Sequence, residues 1–438
     1  MRAEPAPAGV DPLTEADLAL LRDLLEIPTV NPLEPAAPPA RIREAQERYA
    51  RAAHRIGFRT AHHDAPGPEA LERPGIPRAV REAASNPGFL ADQPSLVLRL
   101  GPELPARRTA MFNVHLDTVA GLEPVTRSGD VLTGRGAVDA KGPAVALLAG
   151  IRAALTARPG LGDEVGVLVQ AVSGEEGGAM GVYGTRPLVE AGFFGRLNVF
   201  CEPTGLRYLP RATASATARV SVDGRGAIDD DPASGHNATV LLGFLAQHLA
   251  RRLDPSDRPG RCCVAGMRTG DRHNRVYGSG SLLLNLSYAT TAEGEAAERA
   301  LEAAVRDGLA EFTAIFRHTR EFARTAERAA ELVRVDWLKR GLPCLDDTAG
   351  WARELFADAG IDRWPDEEPA FTCDAIWMHG IPDTCTAVLG PGSLQANGAH
   401  AEGEHVAVAE LRAFARAVAA LLVAFTDRHR DGAGEEST

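Results

Sequence analysis

Pro143–Ala157, PAVALLAGIRAALTA, followed by Val165–Val172, VGVLVQAV, is the stretch that decides the fold class. The first run is rich in alanine and apolar on nearly every turn, and it reads as a buried helix. The second is a continuous valine-rich run, as expected of a strand with no solvent face. Helix followed by buried strand is the alternation of an α/β sheet. Outward from this pair, Ser95–Arg99 and Thr109–His115 read as neighbouring strands, and Asn198–Cys201 as a further short one. Apolar spacing predicts a helix from Thr14, its cap, to about Leu25, and a second near Ala40–Ile56. Between them and the sheet, His62–Gln93 is rich in Pro, Gly and charge and reads as a long insertion.

The character changes near residue 210. Ala212–Gly224 alternates as a strand does, Asn237–Arg252 has helical spacing, and CVAGMR and Ser281–Thr290 read as strands. Glu293–Phe316 is a long amphipathic helix, and Glu331–Leu338 closes the set as a strand. Strand-helix-strand-strand-helix-strand is the ferredoxin-like order. The expected organisation is therefore α/β with a mixed sheet over residues 1–209 and 339–438, interrupted by a smaller α+β domain at 210–338. The chain ends in an apolar helix over Val406–Phe425 and a polar tail.

At 438 residues the chain is too long for one compact core. A net charge of −12 argues against nonspecific nucleic-acid binding or an anionic membrane surface as partner. Lys141 and Lys339 are the only lysines, arginine carrying the remaining positive charge. No stretch approaches the ~20 apolar residues that cross a bilayer, and the first residues have no apolar signal core. The six cysteines form no CxxC pair. Reduced thiols in a cytoplasmic protein are expected.

Acids and histidines punctuate the first domain at strand ends. His115-Leu116-Asp117 ends one predicted strand, and Asp139 lies in the glycine-rich turn before the alanine-rich helix. Glu175-Glu176, flanked by Gly174, Gly177 and Gly178, follow Val165–Val172; Glu202 follows another strand. His400 lies in the loop NGAHAEGEH. Open α/β sheets place their sites beyond the carboxyl ends of strands. Oxygen and imidazole donors without cysteine suit zinc, cobalt or manganese. A dinuclear hydrolase needs a shared carboxylate, donors for each ion, and an unligated carboxylate to take a proton from water. This inventory supplies all three.

HLDTV (115–119), GRGAVDAKGP (134–143), SGEEGG (173–178), CEPTG (201–205) and the late GAH (398–400) resemble, in order, the motif series of the dinuclear zinc aminoacylase and carboxypeptidase family. Acetylornithine deacetylase, succinyl-diaminopimelate desuccinylase and glutamate carboxypeptidase belong to it. The resemblance implies two divalent ions, most simply zinc, with His115, Asp139 and Glu202 on one and Asp139, Glu176 and His400 on the other. It also implies Glu175 as general base, with Asp117 accepting from His115 and fixing its tautomer. The inserted domain would be a lid and the site of homodimer formation, with Ala212–Gly224 offering an edge.

The lid departs from that family's pattern. Gly226-Ala227-Ile228-Asp229 carries isoleucine where relatives carry an oxyanion-stabilising histidine, and Leu284–Tyr288 ends in tyrosine where they carry a substrate-gripping arginine. Asn274 matches an asparagine of the family's lid loop. His236 is a candidate replacement donor, and Tyr288 one that stacks on substrate or donates its hydroxyl. Three readings follow: an amidohydrolase acting on a small amino-acid-derived amide, a specialised enzyme using the same metals for acyl transfer or cyclisation, or a silent binding protein.

Overall fold

The computed structural model describes residues 11–254, 260–347 and 349–432, with side chains as far as 429. The strands used below, in chain order, are β1 (Arg59–Asp64), β2 (Ser95–Leu100), β3 (Thr109–His115), β4 (Gly166–Val172), β5 (Leu197–Phe200), β6 (Ala214–Asp223), β7 (Arg261–Arg268), β8 (Ser279–Tyr288), β9 (Val333–Lys339) and β10 (Cys385–Val388). The helices are α1 (Glu15–Glu26), α2 (Lys141–Ala157), α3 (Ala238–Leu253), α4 (Thr291–Phe316), α5 (Ala323–Leu332) and α6 (Val408–Gly432).

Two compact units result. Among the described residues, one comprises 11–73, 79–212 and 345–432, the other 74–78 and 213–344. In the first, six strands run in the order β1-β2-β4-β3-β5-β10. The four from β4 to β10 are mutually parallel, and β2 and β1 add antiparallel to the β4 edge. Every residue of β2, β3, β4, β5 and β10 is buried, which is why these strands are mostly apolar, with Arg99, Asn113, Gln170 and Asn198 among the buried polar exceptions. The core joins them to α1, α2 and α6. Thr14 caps α1 in a reciprocal box with Asp17, as its spacing predicted. The buried Lys141 ammonium donates to the carbonyls of Leu24 and Ile27, each at 3.0 Å, tying the start of α2 to the end of α1.

The supposed insertion at His62–Gln93 is less irregular than its composition suggested. It contains part of β1 and the short helices Arg78–Ala83 and Gly88–Ala91. β1 (RTAHHD) is polar and mostly exposed, so it carries no alternating apolar signal.

In the second unit the strand order is β7-β8-β6-β9, all antiparallel, with a core shared with α3, α4 and α5. This is the ferredoxin-like arrangement, with α5 as an addition before the last strand. One expectation is corrected here. The Ala212–Gly224 segment offers no edge, because β6 is paired on both sides; the edges are β7 and β9. All six cysteines are free. No helix among the described residues is long and apolar enough to cross a membrane.

Candidate metal centre

The parallel strands end at one place, and their loops deliver the chemistry. His115 is the last residue of β3 and is 1% exposed. Its Nδ1 faces the main-chain carbonyl of Asp117 at 2.9 Å and its Nε2 meets Asp139 Oδ1 at 2.8 Å. Asp139, just before α2, turns its second oxygen to His400 Nε2 at 3.1 Å, and its peptide to Ala140 is cis. His400 Nε2 also meets Glu176 Oε1 at 3.1 Å. Glu202, beyond β5, has Oε1 3.7 Å from His115 Nε2. Donor atoms of His115, Asp139 and Glu176 all lie within 4.8 Å of one another. His400 has about half its side chain exposed, so the cluster opens to solvent on that side.

The Glu175–Glu176 turn needs its glycines. Gly174, Gly177 and Gly178 have φ of +80°, +65° and +74°, in the left-handed region. A Cβ on Gly177 would also lie 2.8 Å from Asn31 Oδ1.

The tautomer of His115 is set by the Asp117 carbonyl, not by its carboxylate as the resemblance implied; the nearer carboxylate oxygen is 3.8 Å away. The Asp117 carboxylate instead accepts from the amides of Glu176 at 3.1 Å and Glu175 at 3.4 Å, and from Asn31 Nδ2 at 2.9 Å. It holds the acidic turn in place. Asn31 was not singled out from the sequence, because a lone asparagine in a proline-rich stretch carries no periodic or motif signal. The same is true of Glu404, whose carboxylate accepts from the amides of Val138 and Asp139, both at 3.1 Å. Asp374 accepts from Thr185 Oγ1 at 2.5 Å, while its buried Oδ1 has no hydrogen-bond partner among the described residues.

Six carboxyl groups (Asp117, Asp139, Glu175, Glu176, Glu202 and Asp374) thus crowd around two imidazoles. Burial, with repulsion from Glu176 and Asp374, holds the Glu175 carboxyl well above its ordinary range. Burial also raises Glu202, and brings Glu176 and Asp374 up to about 7. Burial would raise Asp139 too, but hydrogen bonds from His115 and His400 pull it well below the usual carboxylate range. Those to Asp139 and Glu176 raise His400 to about 10. Left to itself, the cluster stays compact only by holding protons that buried acids do not ordinarily hold at neutral pH. Divalent cations would take the place of those protons, so the donor set fits a metal.

Of the residues singled out in the second unit, Asn274 is exposed in the turn before Arg275–Val276. His236 is 4% exposed; its Nδ1 accepts from the Arg225 amide at 2.9 Å and its Nε2 has no partner. Tyr288 is corrected as a substrate contact. It is 3% exposed, it donates its hydroxyl to the Leu342 carbonyl at 3.0 Å, and its ring packs over Gly294. Ile228 is exposed and pairs with Arg275.

This fold and site define a class. Residues 111–424 match the model of Peptidase family M20/M25/M40, and the chain belongs to that family. It is 32% identical over 168 residues to a Pyrobaculum aerophilum protein whose assigned name is that of a [LysW]-lysine/[LysW]-ornithine hydrolase. That match takes in 38% of this chain and 46% of the relative, so the chain spans about half the length of the curated relatives it matches. The fold is also that of aminopeptidase PepT from Bacillus cereus, with a TM-score of 0.67 and 16% identity over 94% of this chain and 98% of the other. The YXEP protein of Bacillus subtilis, described as a dinuclear metal-binding peptidase, aligns with a TM-score of 0.58 and 13% identity, over 93% and 97% of the two chains.

Proposed function

We propose that the chain is a metal-dependent hydrolase of amide bonds in small amino-acid-derived substrates, working with two divalent ions, most simply zinc, with cobalt and manganese as fitting substitutes. One observation carries the reading. The two oxygens of Asp139 face different imidazoles, His115 at 2.8 Å and His400 at 3.1 Å, the disposition of a carboxylate shared between two ions. His115, Asp139 and Glu202 would hold one ion, and Asp139, Glu176 and His400 the other. Such a pair, when bound, polarises the scissile carbonyl and brings the pKa of water toward neutrality.

The chain's own residues do the rest. Glu175 belongs to neither donor set in this reading. It takes a proton from the attacking water and returns it to the amine nitrogen as the C–N bond breaks. A base whose surroundings hold its carboxyl high is suited to keeping that proton between the two steps. Asp117 and Asn31 position the 175–176 backbone, so that adjacent side chains serve different roles. The hydrolase named among the relatives supports an amino-acid-derived amide as substrate class, and the dinuclear description of the Bacillus subtilis neighbour supports the metal number.

Recognition of substrate differs from that of a simple deacylase in this reading. Ile228 has no donor and the Tyr288 hydroxyl is committed to Leu342. Those two residues favour a second possibility, in which the same site serves a non-standard substrate or transfers an acyl group. Of the second-unit residues, Asn274 and His236 stay as candidate contacts. The proposal includes a homodimer formed through the second unit at β7 or β9, and a cytoplasmic setting supported by the free thiols.

A panel of N-acyl amino acids and dipeptides, run with and without a chelator, tests the reading. Cleavage of at least one amide that is lost on chelation and restored by zinc or cobalt is expected. Cleavage indifferent to the chelator, or none by metal-loaded protein, contradicts it.

A further inference from the structure

The two loops that bring Asp139 and His400 together come from distant parts of the chain, and a buried ion pair stands between them. Glu404 is 1% exposed and Arg135 is 5% exposed. Arg135 Nη1 donates to Glu404 Oε2 at 2.7 Å. The other Glu404 oxygen accepts from the amides of Val138 and Asp139, and its main-chain carbonyl from the amide of Gly134 at 2.9 Å. The 134–139 loop is thus wrapped around one carboxylate of the 397–405 loop. Arg135 returns the connection, donating through Nη2 to the Ala401 carbonyl at 3.0 Å, one residue beyond His400. Its Nε donates to the Gly121 carbonyl at 3.2 Å, which brings in a third loop. That loop also supplies Glu123, whose carboxylate accepts from the Gly403 amide at 2.9 Å.

A buried charge pair is weak evidence of net stabilisation, because desolvation offsets most of the attraction. What this pair does unambiguously is geometric. Every polar atom of Glu404 that is engaged is bonded to the loop carrying Asp139, while Glu404 itself sits four residues after His400. The pair therefore sets how far Asp139 Oδ2 stands from His400 Nε2, a separation of 3.1 Å here.

We propose that Glu404 and Arg135 are positioning residues that fix the spacing of Asp139 and His400, and so set how tightly this site holds the ion those two residues share. The inference rests on the metal-centre reading above. Neither residue touches substrate or the reacting atoms; both act through Asp139 and His400. In E404Q an amide NH2 is turned toward the Arg135 guanidinium or toward the Val138 and Asp139 amides, donor against donor. In R135K the charge is kept, but the fork that reaches Glu404, Ala401 and Gly121 together is lost.

Metal-stripped full-length protein is titrated with cobalt(II), and the visible absorption of the bound ion is followed alongside affinity. E404Q is expected to bind cobalt about 10–100-fold more weakly, with an altered visible band, while far-ultraviolet circular dichroism stays that of the parent. R135K should move the same way by a smaller factor, and it supplies the test if E404Q does not fold. E368Q, which breaks the Arg207–Glu368 pair in the same unit, should leave affinity and spectrum unchanged. A merely structural role would lower the melting temperature of E404Q and R135K with cobalt affinity and spectrum unmoved, and that result overturns the inference alone. Parent protein that takes up no cobalt overturns the metal-centre reading and this inference with it.

Discussion

Asp139 in the first unit and Tyr288 in the second are both buried, and both belong to segments that the sequence marks as functional. They use their polar atoms differently. The Asp139 oxygens face two titratable side chains from other loops, His115 and His400. The Tyr288 hydroxyl is taken up by a neighbouring carbonyl, Leu342, and its ring is packed over a glycine. A buried polar group that closes its hydrogen bond on the backbone is finished, and stabilises its own unit. One whose oxygens face ionisable groups from two other loops, inside a cluster where carboxyls outnumber imidazoles, is placed to hold a cation. The contrast separates residues of the chemistry from residues of the scaffold more sharply than their positions in a motif do.

The sharpest way to break the comparison is at the acidic turn. Glu175→Gln should lower turnover by about 10²–10⁴-fold while metal content stays that of the parent. Glu176→Gln should instead weaken metal binding. Turnover at constant metal content is the measurement, and equal metal loss in both variants would mean their roles are exchanged. On the other side, Tyr288→Phe should cost about 1–2 kcal/mol of stability by leaving the buried Leu342 carbonyl without its donor. Its kcat/KM should stay within about twofold of the parent, since no substrate contact is lost; denaturant unfolding and steady-state kinetics together check this. A large fall in kcat/KM with stability unchanged would restore Tyr288 to the site.

The smallest effect is a purely scaffold one. Asp17 accepts from Thr14 and pairs with Arg152. Burial would raise its carboxyl, but the hydrogen bonds from Arg152 and Thr14 bring it below the ordinary value. Its contribution is therefore fully present above about pH 4 and is lost as pH falls through the depressed folded value. Asp17→Asn should cost about 1 kcal/mol at neutral pH, with the difference from the parent narrowing in acid. A difference that widens below pH 4 would reverse the sign of this account.

The same contrast explains what could be read in advance. Strands β2 to β5 are buried on both faces, and their mostly apolar runs, valine-rich in β4, announce themselves; β1 is mostly exposed and polar, and does not. The donors at strand ends stand in glycine-rich loops, where only sharp turns and close approach explain such composition, so their order was legible. Asn31 and Glu404 were not, because they act on groups far away in sequence, Asn31 on the Asp117 carboxylate and Glu404 on Arg135 and the Val138 and Asp139 amides. The edge assigned to Ala212–Gly224 failed for a related reason. Alternation reports that a strand has two unlike faces, and says nothing about which neighbours pair along its sides.

The central claim is that Asp139 serves two ions at once, and metal content measured on purified variants tests it most directly. Parent protein should carry about two divalent ions per chain, His400→Ala about one, and Asp139→Ala close to none, because one substitution removes a donor from both. Asp139→Ala that retains one ion, as His400→Ala does, would show that the carboxylate is not shared and would contradict the account.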